Sequence, residues 1–219
     1  MHFFHRRKSR AHALRGFTLI ELMVVVIIIA VAAGMAMPTM ARARQERQAF
    51  EYAHSVARLV AGAHSRATAR GAAHLVWFHS NGTTDRGTFI VFEARQNGQP
   101  LSSCKTADFS SIGASPPAGT SNAVLIDAVN LNPTAGATTY NTETDILVNG
   151  AAEQSDAFIC FAPSGRSFYA AAASNLSTAQ PMTSVLEVDV KRMNGTVREG
   201  LLRRVIVPST GTPRLLSAP

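Results

Sequence analysis

Cysteine is scarce in this 219-residue chain, with only two, and so are charge, at 16% of residues, and aromatics, at 7%. Two cysteines exclude a disulfide scaffold and fall outside any CxxC zinc pattern, which leaves one bridge or none. So little charge beside a 46% hydrophobic share excludes a disordered chain and is enough for one domain of ordinary size. Gly 15 and Pro 10 exclude a collagen-like or low-complexity chain. Also missing are a G-x-S-x-G elbow, an H-E-x-x-H helix, a phosphate loop and a dinucleotide fingerprint. His54, His64, His74 and His79 lack the i, i+4 pairing of helical zinc sites and read as surface or packing residues. No catalytic site, metal site or cofactor is expected.

What is present is unevenly distributed. The formal charge of +7 comes from the two ends and from the residues expected to form the first helix. Arg6, Arg7, Lys8, Arg10 and Arg15 precede any acid, and Lys191, Arg192, Arg198, Arg203, Arg204 and Arg214 face only Glu199 at the carboxy end. The stretch between residues 71 and 190 is acidic.

Phe17 to Met37 is apolar except for Glu21. A helix of that length covers roughly 30 Å, the thickness of a bilayer core. The basic cluster before it predicts a cytoplasmic amino end, so the remainder would face the other compartment, in a bacterium the periplasm. A secretory signal peptide cut near Gly34-Met35-Ala36 is an alternative, although its apolar region is usually shorter and seldom holds a carboxylate. A lipoprotein anchor fails because Cys104 and Cys160 lie far away. A plain signal anchor carrying a periplasmic binding domain fits, but leaves Glu21 unexplained.

A carboxylate near the centre of a spanning segment costs about 2.5–3.5 kcal/mol, and less near an interface. Thr18-x-x-Glu21 has the form of a capping box, which offers one compensation. An ion pair offers another, but no side chain of the segment supplies the cation. An α-amine at Phe17 would, if the chain were cut after Gly16.

Arg15-Gly16-Phe17-Thr18-Leu19-Ile20-Glu21 resembles the class III leader junction of type IV prepilins and pseudopilins: a basic leader ending in Gly, Phe first in the mature chain and Glu fifth. Pro38 also falls where those helices commonly hold a proline. The resemblance implies that a membrane prepilin peptidase cuts after Gly16 and methylates the Phe17 amine. It further implies that Glu21 pairs with the Phe17 amine of a neighbouring subunit as the chain leaves the inner membrane, through an assembly platform, for a filament of other pilins or pseudopilins.

Beyond Pro38, Phe50, Ala53, Val56, Ala57, Val60, Ala61 and Ala67 recur as one helical face, continuing the helix to about Arg70 with Gly71 as its cap. Gly34 and Pro38 are the expected places for a bend. The period then changes to two. Leu75 to His79, Thr88 to Phe92, Phe158 to Phe161, Ser167 to Ala171, Val185 to Lys191 and Leu201 to Val207 read as strands, and Asn194-Gly195 is the strongest hairpin signal. Residues 97–157 read as long loops with weak strands at Val124-Leu125-Ile126 and Ile146-Leu147-Val148. The expectation is an α+β chain. It comprises a leader at 1–16, a transmembrane half-helix at 17–38, an amphipathic half at 39–71, and a mainly antiparallel β head at 72–219 on which the helix packs. In an oxidising compartment a Cys104–Cys160 bridge would close a loop of about 57 residues, worth about 4 kcal/mol by chain entropy; two free thiols are the alternative.

This order of elements, with Phe161-Ala162-Pro163-Ser164-Gly165-Arg166 and a carboxy-terminal hairpin, is similar to the GspH/FimT family of minor pilins and pseudopilins. That resemblance implies a place at or near the tip of a type II secretion pseudopilus or a type IV pilus. One subgroup, in DNA uptake, carries a Gly-Arg-x-Arg motif near its carboxy terminus, and Gly211-Thr212-Pro213-Arg214 departs from it. Lys191, Arg192, Arg198, Arg203, Arg204 and Arg214 nevertheless form a basic hairpin and tail, for which DNA binding is one reading and a charge-protected strand edge the other.

Overall fold

The computed structural model describes residues 17–219 apart from 82–84, 110–111, 113–119, 132–140, 149, 154–155, 195–196 and 219. Helix α1 (Leu19–Arg70) opens at Thr18, whose Oγ1 accepts the Glu21 amide at 3.3 Å and whose carbonyl accepts the Leu22 amide at 3.2 Å. The side-chain bond satisfies a donor that the first turn leaves without an intrahelical partner. The helix ends before Gly71, whose φ of +66° is a left-handed conformation open to glycine without a Cβ clash.

The chain divides into two compact units, 1–43 and 44–219. In the first, the large apolar side chains from Leu19 to Met35 stand exposed. In the second, Ala49, Ala53, Val56, Leu59, Val60, Ala63 and Ala67 of α1 are buried. This face is rotated slightly from the expected one: Phe50 is 43% exposed and Ala61 is exposed, while Ala49, Leu59 and Ala63 take their place. Alanine fills four of these seven buried positions. The bulkier Phe50 ring is left at the margin, where the Arg203 guanidinium lies 5.6 Å from its centroid.

The strands are, in chain order, β1 (His74–Asn81), β2 (Asp85–Gln96), β3 (Gln99–Pro100), β4 (Ala123–Asn130), β5 (Asn141–Val148), β6 (Ala151–Glu153), β7 (Asp156–Phe161), β8 (Ser167–Ala170), β9 (Leu186–Asn194), β10 (Val197–Arg198), β11 (Leu202–Val207) and β12 (Arg214–Ala218). They form two antiparallel sheets. The first runs β4-β2-β1-β7-β8, with β3 on the end of β2. The second runs β12-β11-β9-β5-β6, with β10 beside β9.

One face of the first sheet (Val76, Phe78, Phe89, Val91, Ile159, Phe161), the buried stripe of α1 and one face of the second sheet (Ile146, Leu186, Val188, Val190, Val205, Val207) share a single core. The opposite face of the first sheet is covered as well. Leu75, Trp77, Ile90, Phe92, Phe158 and Cys160 lie under Cys104, Phe109, Ile112 and Leu176, the last on a 3-10 turn at Ala173–Thr178. Burial on both faces explains why His74–Phe78, Phe89–Phe92 and Ala157–Phe161 are nearly unbroken apolar runs.

Residues 97–157 depart from the long-loop expectation. The two weak strands expected there lie within β4 and β5, but both are full eight-residue strands, and β5 sits inside the second sheet, hydrogen-bonded to β9 over eight residue pairs from Asn141↔Met193 to Val148↔Leu186. Its inward positions, Thr144 and Ile146, are buried, but Glu143, Asp145 and Leu147 face outward, so the strand reads as polar. Strand β12 and the 3-10 turn are also additions to the expected elements. Between β9 and β11 the register changes at Gly200, whose φ is +77°. That conformation favours glycine, and a Cβ there would also require the Glu46 carboxylate of α1 to move.

Candidate functional site

The junction that dominates the sequence lies at the start of α1. Gly16 and the rest of 1–16 fall outside the described residues. Phe17, Leu19 and Ile20 are 78%, 79% and 71% exposed. Thr18 supplies its half of a capping box by accepting the Glu21 amide. The Glu21 carboxylate is exposed and makes no hydrogen bond or ion pair among the described residues, so it is available to a cation from outside the helix. The helix passes through Gly34 and Pro38 without interruption, with open space around Gly34; the side chains of residues 36–39 lie outside the described residues.

A family model, the prokaryotic N-terminal methylation motif, matches residues 13–37. This motif indicates a type IV pilin-like precursor, processed by prepilin peptidase and assembling with other pilins. No curated protein and no solved structure matches the chain. The described apolar part of α1, Leu19–Met35, would rise about 25 Å, and among the described residues no helix is long and apolar enough to cross a membrane. In the sequence the apolar run continues through Ala36 and Met37.

Cys104 and Cys160 form a disulfide with Cα atoms 5.9 Å apart. Cys160 is on β7 and Cys104 is in the segment covering the outer face of the first sheet, so the bridge ties that cover to the strand beneath it. Both residues are buried within the second core.

The six basic residues of the carboxy-terminal hairpin do not make one surface. Alternation along β9 and β11 sends Arg192 and Arg203 to the helix side and Lys191 and Arg204 to the other. Arg192 lies 3.4 Å from Glu46 and from Glu199, and Arg203 reaches Glu46 at 3.9 Å. Lys191 pairs with Asp145. Arg204 holds Asp189 through two bonds of 2.7 and 2.8 Å and Glu187 at 2.7 Å. The Asp189 hydrogen bonds raise the Arg204 pKa above its ordinary value, keeping it charged. Arg198 and Arg214 are exposed on separate strands. Lys191, Arg192, Arg203 and Arg204 are thus each engaged by carboxylates, which agrees better with the strand-edge reading than with a surface open to phosphates.

Two polar groupings had little signal in the sequence. The first joins Glu46 of α1 to Arg192 and Arg203, fixing the helix on the second sheet. The second lies under the last turn of α1, where Glu93 is fully buried yet meets Arg70 Nε and Arg95 Nε at 3.0 Å each. His74, also fully buried, accompanies Glu93: its Nδ1–H donates to the Ala72 carbonyl at 3.0 Å, and its Nε2 is 3.8 Å from the carboxylate. Burial lowers the His74 pKa against the pull of Glu93, so the ring is neutral at pH 7. A single carboxylate closing the apolar run Phe89-Ile90-Val91-Phe92 is the one hint of this group in the sequence. Of the other described histidines, His54 is exposed, His64 stands edge-on to Phe161 at 5.4 Å, and His79 bonds Asp156 at 2.7 Å.

Proposed function

We propose that the chain is a minor pilin or pseudopilin precursor, a structural subunit without catalysis, anchored in the inner membrane by residues 17–38 with its β head in the periplasm. After cleavage behind Gly16 and methylation of Phe17, it joins a type II secretion pseudopilus or a type IV pilus at or near the tip. The observation that carries this reading is the matched motif, with Glu21 held at the first turn of α1 and its carboxylate uncommitted. Glu21 pairs with the Phe17 amine of a neighbouring subunit, which removes a charge from hydrocarbon as the chain leaves the bilayer. The DNA-uptake reading loses support because Lys191, Arg192, Arg203 and Arg204 are neutralised within the fold.

The test is processing and incorporation in the native host. Replacing Gly16 with a bulky residue should leave a precursor about 16 residues heavier, read by mass spectrometry. Glu21→Ala should allow cleavage but reduce recovery in sheared filaments. A mature amino terminus at Met1, or loss of the whole apolar run, would overturn the proposal.

A further inference from the structure

Of the five large apolar side chains exposed in the head unit among the described residues, Phe50, Val197 and Leu201 lie at one end of it. Glu46 and Phe50 of α1 meet Arg203 near the start of β11, while His64, further along the helix, lies against Gly211 just beyond the end of that strand. Strand β11 therefore runs in the direction of α1, and the antiparallel β9 runs back toward the amino side. Glu46 pairs with Arg192 of β9, and the β9–β10 hairpin continues past that contact to the Asn194↔Val197 pair, an overhang of about 7 Å at about 3.3 Å per residue. Val197 is 64% exposed on this projection and Leu201 43% exposed at its base. The open charges there are basic. Arg44 and Arg198 are exposed, whereas Arg192 holds Glu46 and Glu199, Arg47 holds Glu51, and Glu143 stands opposite Lys191 in the β5–β9 register.

We infer that this end of the head docks on the surface of an anionic bilayer, with Val197 and Leu201 entering the headgroup layer and Arg44 and Arg198 meeting lipid phosphates. The inference rests on the proposed anchoring by residues 17–38. Glu46 comes nine residues after Met37, the end of the apolar run. A chain of that length reaches no more than about 32 Å, so the end of the head that Glu46 marks stays within reach of the interface. An exposed aliphatic pair beside arginines has the composition of an interfacial contact, in which the apolar side chains leave water and the guanidinium groups stay with the phosphates. A nucleic acid offers phosphates but no apolar layer for Val197 and Leu201 to enter. The contact holds the head on the membrane until the chain is drawn into a filament.

The test uses the full-length oxidised chain in lipid nanodiscs, with single nitroxide labels at Val197→Cys, at Ser164→Cys in the exposed β7–β8 turn, and at Val26→Cys in the apolar run. Accessibility to dissolved oxygen against a water-soluble nickel chelate reports the depth of each label. In discs containing phosphatidylglycerol the Val197 label should be shielded from nickel and the Ser164 label open to it. In phosphatidylcholine alone, or at high salt, the Val197 label should return to water. Arg44→Ala with Arg198→Ala should cut the docked-to-free ratio about 25-fold, and Leu201→Glu should release the label, with thermal unfolding of the head unchanged in both. A Val197 label as open to nickel as the Ser164 label, beside a Val26 label buried in lipid, would reject the docking and leave the anchoring reading intact. A Val26 label open to water would overturn both. Equal shielding in phosphatidylcholine would overturn the assignment to an anionic surface. So would a short DNA duplex that the wild type binds more tightly than the discs through the same two arginines.

Discussion

The two halves of helix α1 are built on opposite terms. From Leu19 to Val31 its large apolar side chains are 45–79% exposed, whereas from Ala49 to Ala67 seven apolar side chains, four of them alanine, are buried in a core shared with two sheets of the same chain. The first half must find its apolar surroundings in a bilayer or in other subunits; the second already has them. The charges divide in the same way. Glu21 lacks a partner among the described residues, while Glu46 and Glu93 are met by arginines from within the head.

The largest expected effect breaks the covered side of this contrast. Replacing Cys104 and Cys160 together by alanine should lower head stability by about 4 kcal/mol on the chain-entropy estimate, measured by chemical denaturation of the full-length chain in detergent. A matched pair of substitutions sharpens the contrast within the helix. Leu59→Ala, at a buried position, should destabilise the head by about 3 kcal/mol, whereas Leu22→Ala, at a 60% exposed one, should leave its unfolding unchanged. Equal losses from both would show that the two halves are not separately supported.

The smallest effect concerns pH. His74 has a lowered pKa in the fold, so the unfolded chain binds the proton more readily. Its contribution is present above the ordinary histidine value, about 6.5, and is lost as pH falls through that value toward the folded one. Glu93, Arg66, Arg70 and Arg95 face or surround the ring. Against the wild type, His74→Gln should flatten the fall in stability on mild acidification, measured as the slope of unfolding free energy against pH.

Legibility in the sequence followed locality. Thr18 and Gly71 mark the helix ends because capping acts within a few residues, and Leu186, Val188 and Val190 mark β9 because they alternate without interruption. Only the end of β5, Ile146-Leu147-Val148, was legible, because the outward side chains of its first half are polar and Thr144 does not look apolar, although it is buried. The two readings of the hairpin cations stayed open in the sequence because the partners are remote: Asp145 is 46 positions from Lys191, and Glu46 comes from the helix.

The linear chain alone determined the methylation motif at residues 13–37, the apolar segment with its one acid, and the helix that follows, since each depends on residue type and short spacing. Only the tertiary structure decided which charges are neutralised, which are left exposed, that Cys104 meets Cys160, and that two sheets enclose the second half of the helix. Those outcomes depend on long-range register and burial, where residues distant in sequence come within a few ångströms and exclude the water between them.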